Sequence, residues 1–576
     1  MEGDEKKPKP AWSKGGIVPA KPPKFSSADE VFVKLTPFGP YQWFLCFVYS
    51  YHFVVISTND GFMIFAGQSP NFRCTGQNFS DGINEKIGLQ ENCYLRDNCT
   101  QGNFSLVYDF RSIIVEWGLY CDKAYYVDLI TSLQMAGIFV GCLISGPLVD
   151  YFGRKWPFLC LIATEIALAS ILAVSPSWEV FCALRVVLGI FTGADLNSGW
   201  VFTAEFTTNR WRFLFRTLSG IIPSIDLPVV AWLFPSWKML SLIGNLHAVP
   251  LLPIIAFMTD ESPRWLIQKG RRKEAAKVLA KIQRWNGWWN RRRGNQEALD
   301  LVISEDDLYF SQHDKKEGEK MAPFWKLFST LTLIKYTFCA VFTWFVASII
   351  NFGMLFDIGN LPFNVYLTTL LLGIIGFGVE LPLAIMDVYS MKLNRRVMLL
   401  SFFMFCAAAN AAVAVLMQYA RNDHSLYWLF SLSSIAGQTA IGIVFDTAYV
   451  YQIELFPTLL RSQAGAMCSA AARVGGAIAP QILFLENKWH PIPYICFAVV
   501  GFAGFLLDWL LLPNTKDKVL PEALRDDLKT FDELRDRSLT LMSREQERER
   551  ELNGEAKSNL PLEIPPISTV SDKADK

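Results

Sequence analysis

Runs of about twenty mostly apolar residues recur twelve times along this 576-residue chain, and nothing else in it constrains the fold so tightly. A hydrocarbon layer of ~30 Å is crossed by about 20 helical residues, and inside it each backbone N–H and C=O must be satisfied within the protein. Helices meet that demand segment by segment. Barrel strands would instead show alternating segments of about ten residues. The runs lie at 41–66, 125–146, 156–174, 179–203, 214–234 and 238–258, then at 336–357, 364–388, 397–417, 426–453, 464–484 and 492–512. The expectation is an all-α membrane protein with twelve transmembrane helices in two six-helix pseudo-repeats.

Only 19% of the residues are charged, against about 25% in soluble domains, and they crowd into residues 1–36, 259–335 and the stretch after 513. The domain plan follows: a disordered cytoplasmic N-terminus at 1–36, a six-helix half at 37–258, a cytoplasmic loop at 259–335, a second half at 336–512 and a cytoplasmic tail at 513–576. Within that tail, residues 521–552 read as a charged, solvated helix. The opening MEGDEKKPKPAWSKGG has no apolar core, so no cleavable signal peptide is expected and the first span acts as an internal anchor. Lys and Arg gather on alternate loops: the N-terminal segment, Arg154 and Lys155, Arg210 and Arg212, the 259–335 block, and Lys392 with Arg395 and Arg396. The intervening loops hold little beyond Lys238, Arg421 and Lys488. That bias puts both termini in the cytoplasm. Lys plus Arg and Asp plus Glu balance at 54 each, so bulk charge implies no nucleic-acid partner.

The one long outer loop, residues 67–124, holds three N-glycosylation sequons, at Asn78, Asn98 and Asn103. It also holds Cys74, Cys93, Cys99 and Cys121, which on the oxidising side point to two disulfides with three possible connectivities. The plasma membrane is the expected location. The other eight cysteines fall inside spans and read as packing residues.

The two halves share local detail. Glu205 precedes Arg212 by seven residues after the fourth span, as Glu454 precedes Arg461 after the tenth. Gly146-Pro-Leu-Val-Asp150-Tyr-Phe-Gly-Arg154-Lys155 follows the second span, and Lys392-Leu-Asn-Arg395-Arg396 the eighth. The first of these resembles the signature loop of the major facilitator superfamily. Val115-Glu-Trp-Gly-Leu-Tyr-Cys-Asp122, Glu261-Ser-Pro-Arg-Trp-Leu266, and Glu454-Leu-Phe-Pro-Thr-Leu-Leu-Arg461 with Ala472-Arg-Val-Gly-Gly476 behind it are similar to the organic cation/anion transporters of solute carrier family 22. The resemblance covers roughly residues 40–515. It departs at Asn394-Arg-Arg, where the family has Gly-Arg-Arg, and at Pro513-Asn-Thr, where it has Pro-Glu-Thr. It implies two halves rocking about a central site, with Asp150, Arg154, Glu205, Arg212, Glu261, Arg264, Glu454 and Arg461 holding the inner gate. The alternative is static ion pairs at helix ends.

Charges inside spans are costly and mark function by default. At ~1.5 Å of rise per residue, counts from the cytoplasmic anchors put Asp195, Asp226, Asp446 and Arg473 near mid-depth. Glu165, Glu380, His247 and Arg185 are also within spans. Three acids against Arg473 favour a cationic or zwitterionic substrate, with Asp446 and Arg473 as a charge-selective pair. The resemblance pulls toward anion and carnitine-type members, which carry Arg at this position, yet Leu383-Ala384 follows Leu381-Pro382 where anion members carry lysine. A zwitterion satisfies both. Trp200, Phe352, Phe445 and Tyr449 offer faces for an ammonium group, or simple packing. Trp156, Trp178, Trp237 and Trp489 read as interface anchors. Residues 264–289 read as a basic amphipathic helix, lying on the inner leaflet or packed within the fold. No metal cluster, nucleophile triad or P-loop occurs, so neither a cofactor nor an enzyme activity is expected. What remains is a carrier of small organic ions or a non-transporting membrane protein on the same fold.

Overall fold

The computed structural model describes residues 28–35, 38–74, 93, 104–295, 298–299, 303, 306–308, 324–358, 364–389, 395–420, 427–456 and 460–512. A short helix α1 (Ala28–Leu35) leads into α2 (Pro40–Ala66), and strands β1 (Asn71–Cys74) and β2 (Phe104–Val107) follow with helix α3 (Ile113–Trp117). The first half continues with α4 (Tyr125–Phe152), α5 (Lys155–Leu172), α6 (Trp178–Ala204), α7 (Arg212–Leu233), α8 (Trp237–Leu246) and α9 (Leu251–Met258). Helices α10 (Pro263–Gln268) and α11 (Arg272–Arg292) lie between the halves. The second half is α12 (Leu331–Asp357), α13 (Val365–Tyr389), α14 (Arg395–Ala420), α15 (Tyr427–Leu455), α16 (Arg461–Phe484) and α17 (Ile492–Leu511).

Each expected span falls on helix. Among the described residues ten crossings are long and apolar enough to span a bilayer, taking α8 and α9 together. The other two, α2 and α6, are 27 residues each and carry many of the polar groups described below. The sixth span is interrupted at residues 247–250, where Pro250 has no N–H to donate and His247 Nδ1 turns back to the Ile243 carbonyl at 2.7 Å.

In the first half α4 and α6 touch at backbone distance. A Cβ on Gly141 would lie 2.0 Å from the Ile190 carbonyl oxygen, and one on Gly193 2.2 Å from that of Ile138, so only glycine fits. In the second half α12 packs on α16, and α14 on α15 and α17. The halves meet along α4–α16 and α7–α13. Taking the side of loop 67–124 as the outer one, they touch at both ends. Phe65 stacks on Tyr366 outside at 5.5 Å, and Arg210 Nε donates to the Val388 carbonyl inside at 2.8 Å.

Outside, β1 pairs antiparallel with β2, Asn71 opposite Val107 and Cys74 opposite Phe104. Cys93 is disulfide-bonded to Cys121. The side chains of Cys74 and Cys99, the sequons at Asn78, Asn98 and Asn103, and both chain tails with the helix expected at 521–552 lie outside the described residues. Helix α3 is capped by Ser112 and docks on the α7–α8 turn, where Arg111 N donates to the Pro235 carbonyl at 3.0 Å. Glu116 there binds Lys238 at 2.7 Å and Arg111 at 2.8 Å. The Lys238 hydrogen bond, aided by Arg111, holds its carboxyl below the ordinary glutamate value.

Two expectations need correction. Trp237 is no interface anchor: it is fully buried against Trp117 and Phe181. The amphipathic stretch is two helices, broken at Gly270, where φ is +75°. Its apolar face packs on the first half. Asn286 Oδ1 accepts from Tyr41 N at 3.0 Å, Asn290 donates to the Leu35 carbonyl, and Trp285 meets Tyr41 edge-on.

Candidate functional site

The signature loop is built around Arg154. Its guanidinium binds Asp150 at 2.9 Å and Glu205 at 3.0 Å, and donates to the Val149 carbonyl. Glu261 accepts from the backbone N–H of Arg154 at 2.8 Å and caps the start of α5 through Lys155 N. Gly153 makes that approach possible: its φ is +98°, and a Cβ there would meet Glu261 Oε2 at 2.5 Å. Arg264 donates to the Thr207 carbonyl at 3.1 Å, and Arg212 is buried at the head of α7. These contacts tie α4, α5, α6 and the α9–α10 link together. The contacts of Arg154 with Asp150, Glu205 and Glu261 all lie within the first half and fasten that half to itself. Glu454 and Arg461 stand at the end of α15 and the start of α16, and their side chains lie outside the described residues.

Deeper in, among the described residues, charges from opposite halves meet at two ion pairs. Arg216 of α7 binds Asp446 of α15 at 3.1 Å and donates to Tyr49 Oη at 3.2 Å. Arg473 of α16 lies 3.5 Å from Asp60 of α2, with its guanidinium 5.5 Å over Phe352. The expected Asp446–Arg473 pair is therefore replaced by two cross-half pairs. Helices cross the membrane in alternating directions, so Asp60, near the outer end of α2, sets an outer pair, and Arg216, one turn into α7, sets an inner one. Around the inner pair Arg216 lies over Tyr449 at 4.9 Å, Phe53 at 5.0 Å and Trp200 at 5.8 Å. Phe445 and Trp344 back Tyr449 at 5.5 and 4.2 Å. Glu380 of α13 lies beside Asp446 and Arg216, and its Oε1 is buried with no hydrogen-bond partner. Of the expected aromatic faces, Trp200 and Tyr449 thus lie against the protein's own Arg216 and Phe352 against Arg473, while Phe445 backs Tyr449.

Asp195 and Asp226 are elsewhere. Asp195 Oδ2 binds His52 Nε2 at 2.6 Å, both fully buried inside the first half. Asp226 lies 3.5 Å from His247 at the interrupted span. Neither touches the cross-half pairs. Sequence counting missed Asp60 and Arg216 and gave Glu380 no role. Asp60 was findable as an acid within an apolar run. Arg216 is four residues after Arg212 and reads as part of the rim until its side chain is seen reaching inward.

Comparison with known proteins bears on the family and the fold. The sequence profile of the Sugar (and other) transporter family matches residues 100–526. Bovine solute carrier family 22 member 1 is 32% identical over 443 residues, covering 74% of this chain and 72% of the relative. Solute carrier family 22 member 15-like of Xenopus laevis is 25% identical over 510 residues, covering 86% and 96%. The solved structure of the major facilitator proton:xylose symporter XylE superposes with a TM-score of 0.57 at 15% identity, covering 85% of this chain and 98% of that one. That likeness bears on the fold.

Proposed function

The chain belongs to solute carrier family 22, among the sugar and other transporters of the major facilitator superfamily, and from that premise we propose that it carries small organic cations by alternating access of its two halves. The observation that carries this reading is the charge balance between the halves. At the inner pair Asp446 and Glu380 face Arg216, two carboxyl groups against one guanidinium, while Asp60 faces both Arg473 and Arg185. At that inner pair one negative charge is left over when both carboxyl groups are ionised, and a monovalent cation balances it.

Arg216 acts as a tethered stand-in for that cation. It occupies the aromatic faces and the carboxylates an ammonium group would use. An arriving cation takes over Asp446, Glu380 and the faces of Trp200 and Tyr449, and the inner cross-half pair lets go. Exchanging one cation for another avoids leaving a buried charge alone. Breaking the Asp60–Arg473 pair opens the outer side and breaking Arg216–Asp446 opens the inner side, one at a time. Asp150, Arg154, Glu205 and Glu261 keep the first half rigid through that motion, with Arg212, Arg264, Glu454 and Arg461 as further rim groups. Asp195 and Asp226 act from outside the contact zone. The Lys and Arg bias and the three sequons support a multi-pass plasma-membrane protein with cytoplasmic termini, glycosylated outside.

A carnitine-like zwitterion is the second reading. Arg473 favours it, because once released from Asp60 its guanidinium can take a carboxylate while Asp446 takes the ammonium. Uptake of labelled tetraethylammonium, carnitine and an aromatic anion by one expressing cell line tests the reading. Tetraethylammonium uptake above untransfected cells supports it, and uptake of the anion alone overturns it.

A further inference from the structure

Two carboxyl groups and an imidazole, none of them among the cross-half pairs, are fully buried together inside the first half: Glu165 of α5, Asp195 of α6 and His52 of α2. Their partners leave a pattern. Glu165 Oε2 accepts from Asn59 Nδ2 at 3.1 Å and from Thr192 Oγ1 at 3.2 Å. Asp195 Oδ2 is taken by His52 Nε2 at 2.6 Å. Glu165 Oε1 and Asp195 Oδ1 are buried with no donor, and the two carboxyl groups are neighbours, since Thr192, which binds Glu165, stands one turn before Asp195 on the same face of α6. Two carboxylates so placed repel, and each would leave a buried oxygen without a protein donor. One proton between Oε1 and Oδ1 removes both problems: either oxygen becomes the O–H donor and the other accepts.

We propose that Glu165 and Asp195 bind one proton between them, and that this site is coupled through α2 to the movement of the halves. His52 is the neighbouring base, with its Nδ1 also buried and unpartnered. Other charged groups near the cluster are Asp60 of α2 and Arg185 of α6, which donates to the Asn59 carbonyl at 3.0 Å. Nearby, α4 offers neutral Gln134, and α8 offers Ser241 and Asn245. The coupling route is short. The His52 ring lies 5.6 Å from that of Tyr49, whose hydroxyl accepts from Arg216, the inner cross-half residue. Asn59, bound to Glu165, precedes Asp60, the outer cross-half residue. Helix α2 thus joins the proton site to both pairs, and losing the proton, which sets the carboxylates of α5 and α6 against each other, shifts α2 through His52 and Asn59.

The coupling rests on the transport reading above; the proton site does not. Infrared spectra of the purified full-length protein report protonated carboxylic acids by their carbonyl stretch. The wild type is expected to carry such a band, and Glu165→Gln and Asp195→Asn each to lose it. Both replacements are isosteric and keep an N–H donor toward the opposite carboxylate, so the fold has a second chance if one variant fails. Identical spectra for wild type and variants would overturn the site. Uptake of labelled tetraethylammonium into proteoliposomes, under pH gradients of either sign with the potential clamped at zero, reads the coupling. Up to about tenfold asymmetry per pH unit is expected in the wild type, and none in Glu165→Gln. Equal wild-type uptake under both gradients overturns the coupling. No uptake under any gradient overturns the substrate reading and the coupling together, leaving the infrared band to decide the proton site alone.

Discussion

Replacing Asp446 by Asn removes one of the two carboxylates that face Arg216 while keeping its size. Arg216 retains Glu380 and the Tyr49 hydroxyl, so the fold and surface expression should persist. A bound organic cation loses more, because its charge now faces one carboxylate in place of two. A hydrogen bond or contact to a charged group contributes about 1.5–3 kcal/mol, so the loss corresponds to a rise in KM of about 10- to 100-fold. The maximal rate is expected to fall as well, since the inner cross-half pair no longer closes on a full charge. The assay is concentration-dependent uptake of labelled tetraethylammonium, normalised to surface protein by biotinylation. An unchanged KM in well-expressed Asp446→Asn would refute the assignment of the cation to this side of the site.

The rim makes a different prediction. Glu205→Gln should slow transport with little change in KM, and thermal unfolding of the purified protein should shift down, because Arg154 is left with Asp150 alone; a KM effect without a stability effect would contradict the bracing role. On the outer face, Glu116 has a lowered pKa, so its pairing contributes fully above the ordinary value of 4.5 and is lost as pH falls through the lower folded value. Melting curves should show wild type losing stability across that acidic window and Glu116→Gln losing less; parallel curves would remove Glu116 as the anchor. Glycosidase treatment should increase the gel mobility of the expressed protein, since all three sequons lie in loop 67–124; an unchanged band would invert the topology.

Most of the fold was legible because a hydrocarbon layer leaves so few choices. Length and apolarity alone locate the helices; the interruption at 247–250 was not legible, because a proline by itself does not mark a break where Pro147, Pro223, Pro228, Pro382 and Pro480 lie inside continuous helices. The signature loop was legible for a related reason: Gly153 and Glu261 are needed at one tight turn, and both stand in the motifs. Partner choice was not legible. Depth counting places Asp446 and Arg473 at similar levels but says nothing of the azimuth at which each side chain leaves its helix. Arg216 spans the difference with a long side chain, which a residue count along the backbone cannot register. Asp195 sits at the right depth on the wrong face, where it meets His52 of α2 inside the first half.

Central to this account is that Arg216 holds the place of a cationic substrate, and equilibrium binding of labelled tetraethylammonium to purified wild type and Arg216→Ala tests it most directly. The account predicts that the variant binds the cation at least as tightly as wild type, since the competing guanidinium is gone and Asp446 and Glu380 stand open, while its transport is lost with the inner pair. Loss of tetraethylammonium binding in Arg216→Ala, or binding of an aromatic anion to wild type that this variant abolishes, would show Arg216 to be a ligand and contradict the account.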